Sequence, residues 1–101
     1  MIHVIASIRV KAGGVPAFLE IFKANVPRVK KEHGCIGYVP TVDVDAGLPA
    51  QNRDEDRVTI IEQWASLEAL HAHLKSPHMR AYRDQVKDLV TDVSLNVLEE
   101  A

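Results

Sequence analysis

Cysteine is almost missing from this 101-residue chain: Cys35 is the only one, so no internal disulfide can form. A reducing cytoplasm is the natural setting for such a protein. Aromatic residues are also few, at 5%, and no strand carries the aromatic pair of an RNA-binding sheet. Basic charge is not in excess, since the formal net charge is -2 and Lys and Arg are scattered. The electrostatic footprint for nucleic acid or an anionic membrane is therefore lacking. No apolar run approaches the length of a membrane span, and Met1-Ile2-His3-Val4 opens directly on a strand-like pattern rather than a leader. Nor is there a Gly-rich phosphate loop, a nucleotide fingerprint, a CxxC pair or a nucleophile elbow. What remains, 47% hydrophobic and 26% charged, is the make-up of one ordinary globular domain spanning residues 1–101.

Periodicity supplies the elements. Ile2, Val4, Ala6, Ile8 and Val10 alternate as in a strand, and Gly13-Gly14 ends it. Val15, Phe18, Leu19, Phe22, Val26 and Val29 then follow helical spacing, with Pro16 in the first turn and Pro27 set to kink the helix. Lys30, Lys31 and His33 suit the last turn, and Gly34 the left-handed stop. A second strand is expected from about Ile36 to Asp45, a loop over Ala46–Asp56, and a third strand from Arg57 to Trp64. Ser66 caps a helix carrying Leu67, Leu70 and Leu74, and Ser76-Pro77 restarts a helix with Met79, Tyr82, Val86, Leu89 and Val90. A last strand runs from Thr91 to Leu98. The order fits an α+β, ferredoxin-like βαββαβ sandwich, a four-stranded antiparallel sheet with helices on one face. The other face would hold Ile5, Val39, Ile61 and Leu98 among Ser7, Thr41, Thr59 and Gln63. That mixture is too apolar for a solvated sheet, so a homodimer packed through the sheet faces is expected.

Five histidines invite a metal, but their spacing does not. His71 and His73 diverge by about 200° on a helix, and His73 and His78 straddle the Ser76-Pro77 break. No metal is expected. Against the leucine stripe His71 lies nearer the centre than His73, and is read as a boundary residue. His78, one turn before Tyr82, reads equally as a cap residue or a pocket residue. Trp64 is an anchor at the sheet margin whose indole N–H needs a partner. Glu62, on the same strand face, must be paired, hydrogen-bonded or raised in pKa, with Arg80 and Arg83 as available partners.

Three segments carry a family resemblance: Glu62-Gln63-Trp64-Ala65-Ser66, Ala69-Leu70-His71-Ala72-His73 and Ser76-Pro77-His78. Together with Val4–Val10, Lys11, Gly13 and Glu32-His33-Gly34-Cys35-Ile36-Gly37-Tyr38, they resemble the antibiotic biosynthesis monooxygenase domain. The likeness covers nearly the whole chain, and the Asp45–Asp56 loop is its least typical part.

The resemblance implies a dimeric α/β barrel with a pocket between helices and sheet in each subunit. It also implies a monooxygenase that oxidises a small aromatic quinol or phenol with O2, without metal, flavin or other cofactor. Carried over by position, His73 is the base or anion-stabilising donor, and Trp64 donates a hydrogen bond to a substrate oxygen. His78, Tyr38, Glu62, Tyr82 and Arg83 make up the expected substrate-binding set. A haem-degrading branch uses Asn, Trp and His where this chain has Ala6, His73 and Arg83, so that activity is not expected. Another branch isomerises a phosphorylated signalling sugar, and that enzyme type, or a dimer that merely binds a small ligand, is the alternative.

Overall fold

The computed structural model describes all residues, Met1–Ala101. Strand β1 (Ile2–Val10) leads to helix α1 (Val15–Lys30), strands β2 (Cys35–Val42) and β3 (Arg57–Trp64), helices α2 (Leu67–Lys75) and α3 (Pro77–Val86), and strand β4 (Val90–Glu99). The four strands form one antiparallel sheet in the order β2-β3-β1-β4. This is the ferredoxin-like arrangement expected from the element order.

Alternation in β1 decides which face is covered. Ile2, Val4, Ala6, Ile8 and Val10 are all buried, as are Val58, Ile60, Glu62 and Trp64 of β3. Onto that face α1 lays Phe18, Phe22, Asn25 and Val29, α2 lays Ala69, Leu70 and His73, and α3 lays Met79, Tyr82 and Val86. Phe22 stacks on Tyr38 at 5.4 Å and meets Tyr82 edge-on at 5.6 Å, so the few aromatic rings are gathered in one cluster. Strand β4 is different, because no helix crosses it: Val93, Leu95 and Val97 stand 46–54% exposed.

Several expectations need correction. Strand β2 ends at Val42, not near Asp45, because Val42 pairs with Val58 at the start of β3 and no partner strand continues beyond it. Asp43 instead accepts from the Asp54 backbone N–H at 2.8 Å and pairs with the Arg57 guanidinium at 2.6 Å, which ties the loop down. Helix α1 stops at Lys30, so His33 lies beyond it, while Gly34 has the left-handed φ of +81°. Leu89 and Val90 do not extend the stripe of α3, which ends at Val86; Val90 already belongs to β4. No helix is long and apolar enough to cross a membrane.

Candidate active site

A cavity of about 420 Å³ lies between the helices and the sheet. Twelve of its sixteen lining residues are hydrophobic, so the few polar groups on its wall decide its chemistry. Those include Tyr38 from β2, Glu62 from β3, His73 from α2, and Tyr82 and Arg83 from α3. Arg83 and Lys87 are exposed at the mouth, where Arg83 donates to the Leu74 carbonyl at 3.0 Å. Val93 and Leu95 of the uncovered strand β4 form the opposite rim.

His73 is 1% exposed, and His71 is open to solvent, which reverses the reading made from the leucine stripe. The buried face of α2 is Ala69, Leu70 and His73, whereas Leu67 and Leu74 are 50% and 37% exposed. Taking the leucines as the stripe rotated the inferred face by roughly a quarter-turn, at ~100° per residue. The His73 ring packs against Trp64 at 4.6 Å and lies edge-on to Tyr38 at 5.3 Å. Its Nδ1 faces the Glu32 carboxylate at 2.9 Å, the ring's hydrogen bonds all run through Nδ1, and no buried side-chain nitrogen is left unpaired, so Nε2 reaches open space. Burial pulls the His73 pKa down, opposed by the hydrogen bond and charge of Glu32. Burial thus favours the neutral ring.

Glu62 moves the other way. Burial pushes its carboxyl up to about 7, although the Trp64 indole N–H donates to Oε1 at 2.9 Å and works against the rise. The partner of this carboxylate is thus Trp64, two residues along the same strand face, and neither Arg80 nor Arg83. Burial likewise holds the Tyr38 and Tyr82 phenols protonated well above their ordinary range, and neither hydroxyl is tied to a protein group. Both can donate to a ligand oxygen.

Of the residues singled out from the sequence, Tyr38, Glu62, His73, Tyr82 and Arg83 meet on the cavity wall. Trp64 and His78 do not. The Trp64 ring is 0% exposed, behind Glu62 and His73, and its one N–H is already committed. His78 sits outside the cavity with Nε2 at 2.7 Å from Glu32 Oε2 and 3.2 Å from the Ser76 hydroxyl. Sequence reasoning passed over Glu32, the group that joins the two histidines. It lies in the turn after α1 among Lys30, Lys31 and His33, where a carboxylate reads as part of a solvated charge run. Only the meeting of three helix ends gives it a role.

A helix-covered antiparallel sheet with an apolar cavity of small-molecule size, and an imidazole and a carboxyl on its wall whose charged forms burial disfavours, defines a small α+β domain with one candidate ligand site. The profile of the antibiotic biosynthesis monooxygenase family matches residues 1–85. Over 101 residues the chain is 44% identical to "Probable quinol monooxygenase YgiN" of Escherichia coli K12, covering 98% of this chain and 97% of that protein. Among solved structures it is similar to Rv0793 of Mycobacterium tuberculosis, with TM-score 0.81, 27% identity, and coverage of 99% of this chain and 94% of that one. SO0527 of Shewanella oneidensis gives TM-score 0.81 at 26% identity, covering 96% and 87%. The chain belongs to the antibiotic biosynthesis monooxygenase family.

Proposed function

We propose that this protein is a cofactor-independent monooxygenase that oxidises a small aromatic quinol or phenol with O2. The observation that carries the reading is the pair of opposed titrations on one apolar wall: His73 held neutral with Nε2 unpartnered, and Glu62 held protonated to about pH 7. Both shifts favour the uncharged form, so the wall offers a substrate hydroxyl a neutral nitrogen acceptor beside a carboxyl able to hold a proton. His73 Nε2 takes the proton of a substrate hydroxyl, and the resulting anion is the electron donor to O2. For a simple quinol, one oxygen atom enters the ring and the other leaves as water, with the substrate supplying all four electrons. The proton held by His73 returns to the reduced oxygen. Tyr38 and Tyr82 donate to the substrate oxygens, Arg83 supports negative charge at the mouth, and Trp64 acts from behind by holding Glu62. The name of the Escherichia coli relative supports the quinol class.

The working unit in this reading is a homodimer joined through the outer sheet faces, in a reducing cytoplasm. Arg83 and Lys87 at the mouth favour a second reading, an isomerase acting on a phosphorylated metabolite, because two cations there suit an anionic group.

Oxygen uptake by metal-free protein given benzoquinols and naphthoquinols, against an autoxidation control, tests the proposal. Uptake above background that falls by at least about tenfold in His73→Ala is expected. A panel with no uptake would overturn the oxygenase. A saturable rise in Tm without product would then leave a binding module.

A further inference from the structure

We propose that Glu32 is the positioning residue of this site, a carboxylate that fixes the proton of His73 on Nδ1 and so presents Nε2 to the cavity as a bare acceptor. The inference rests on the reading of His73 as the base. Glu32 Oε2 lies 2.9 Å from His73 Nδ1 and 2.7 Å from His78 Nε2, while Oε1 lies 3.2 Å from His73 Nδ1. A carboxylate can only accept from these nitrogens, so with His73 neutral its single N–H is on Nδ1. Its side chain is 14% exposed and that of His73 only 2%, so the interaction is shielded from bulk water on the histidine side. His78, itself contacting the Ser76 hydroxyl at 3.2 Å, holds the carboxylate from the other side and keeps it aimed.

When Nε2 accepts a proton from the substrate hydroxyl, the ring becomes an imidazolium beside an existing carboxylate. No bond within the protein has to form or break, because Nδ1–H already points at Glu32. The titratable and charged groups around His73 are Glu32 from the turn after α1, His78 and Arg83 from α3, Glu62 from β3 and the Tyr38 phenol from β2, of which the first three act on its protonation. Arg83 and His78 oppose protonation of the ring, and Glu32 alone favours it. Removing Glu32 therefore takes away the tautomer lock and the hydrogen-bonded charge that favours proton uptake.

The same two hydrogen bonds would also pin the end of α1 to α2 and α3, and a purely structural staple makes different predictions. Nitrogen-15 NMR of the ligand-free protein shows which ring nitrogen of His73 carries the proton. Steady-state kinetics with a quinol substrate gives kcat and KM separately. Wild type is expected to show Nδ1–H. Glu32→Ala is expected to lose that preference and to drop kcat by at least about tenfold, with KM changed less than about threefold. Glu32→Gln, close to isosteric, still offers a carbonyl to Nδ1–H, so the tautomer persists while kcat falls for want of the charge. Its acid limb in kcat/KM shifts to lower pH, because the ring loses a group that raised its pKa. A wild-type ring protonated on Nε2, or Glu32 variants with unchanged tautomer, kcat and pH profile, would overturn the proposal. Should wild type oxidise no quinol at all, the quinol reading fails, and the NMR result alone decides whether Glu32 sets the tautomer.

Discussion

Glu62 stands under two opposing demands, since Trp64 donates to its ionised form while burial disfavours that form, and burial wins. A carboxyl raised from 4.5 to about 7 binds more protons folded than unfolded in the interval between those values. Its contribution to stability is therefore full below about pH 4.5 and is lost as pH rises through about 7. At about 1.4 kcal/mol per pKa unit the loss is at most roughly 3.5 kcal/mol. His73, whose pKa is lowered, has the opposite sign and loses stability as pH falls through its unfolded value. Subtracting a Glu62→Gln variant, which keeps a carbonyl for Trp64, isolates the carboxyl. Thermal melts from pH 4.5 to 8.5 are expected to give similar Tm values for both proteins at the acid end. Towards pH 8 the variant should pull ahead, and a gap that stays constant with pH would show that Glu62 is not raised. The need for a partner or a raised pKa at Glu62 was legible in the sequence, because strand alternation places it on the buried face with Trp64. The burial of His73 and its contact with Glu32 were less so. Burial of His73 depends on how α2 rolls against β3, which leucine spacing misjudged, and Glu32 acquires partners 41 and 46 residues away.

Elements were read more securely where a local signal has a steric cause. Gly34, expected as a left-handed stop, has φ +81° and an added Cβ there would lie 2.6 Å from the Ala69 Cβ. Its carbonyl accepts from the Ala65 N–H at 2.8 Å, so the turn after α1 is pressed against the entry to α2. Gly13 has a similar φ of +74° with nothing near the missing Cβ. The left-handed conformation costs an L-residue about 1–2 kcal/mol, and Gly13→Ala should lose about that much. Gly34→Ala carries the same cost plus the collision, and should be clearly less stable than Gly13→Ala in urea titrations. Equal losses would mean that Ala69 yields freely. Ser76 is a comparable local signal: it closes α2 and opens α3, donating to the His73 carbonyl at 2.8 Å and accepting from the Met79 N–H. The end of β2 was misread because alternation in one strand continues wherever valines continue, whereas pairing stops where the neighbouring strand begins. A single strand's pattern holds no information about its partner's length.

At the scale of the whole molecule the protein exposes more surface than its mass warrants. Its accessible area is 6620 Å², against ~5700 Å² for a compact monomer of 11.2 kDa. The excess has a structural source. The helices cover one face of the sheet, and β4 at the edge is bare on both sides. On the outer face Val39, Ile61 and Ile5 are register neighbours across β2, β3 and β1, forming an apolar row with Val39 and Ile61 nearly half exposed. A self-complementary patch of this kind is what a two-fold dimer uses. Sedimentation velocity at micromolar concentration should give twice the 11.2 kDa chain mass. Ile61→Asp places a carboxylate in the middle of the row, where in a dimer it would have to be desolvated without a partner. In a monomer the same side chain would stay in water and cost little beyond its lower strand preference, at most ~1 kcal/mol. The variant should therefore sediment as a folded monomer. A wild type that is itself monomeric would refute the sheet-to-sheet dimer. An Ile61→Asp protein that still sediments as a dimer would move the interface away from this row, towards β4, where Val93 and Leu95 also form a rim of the cavity.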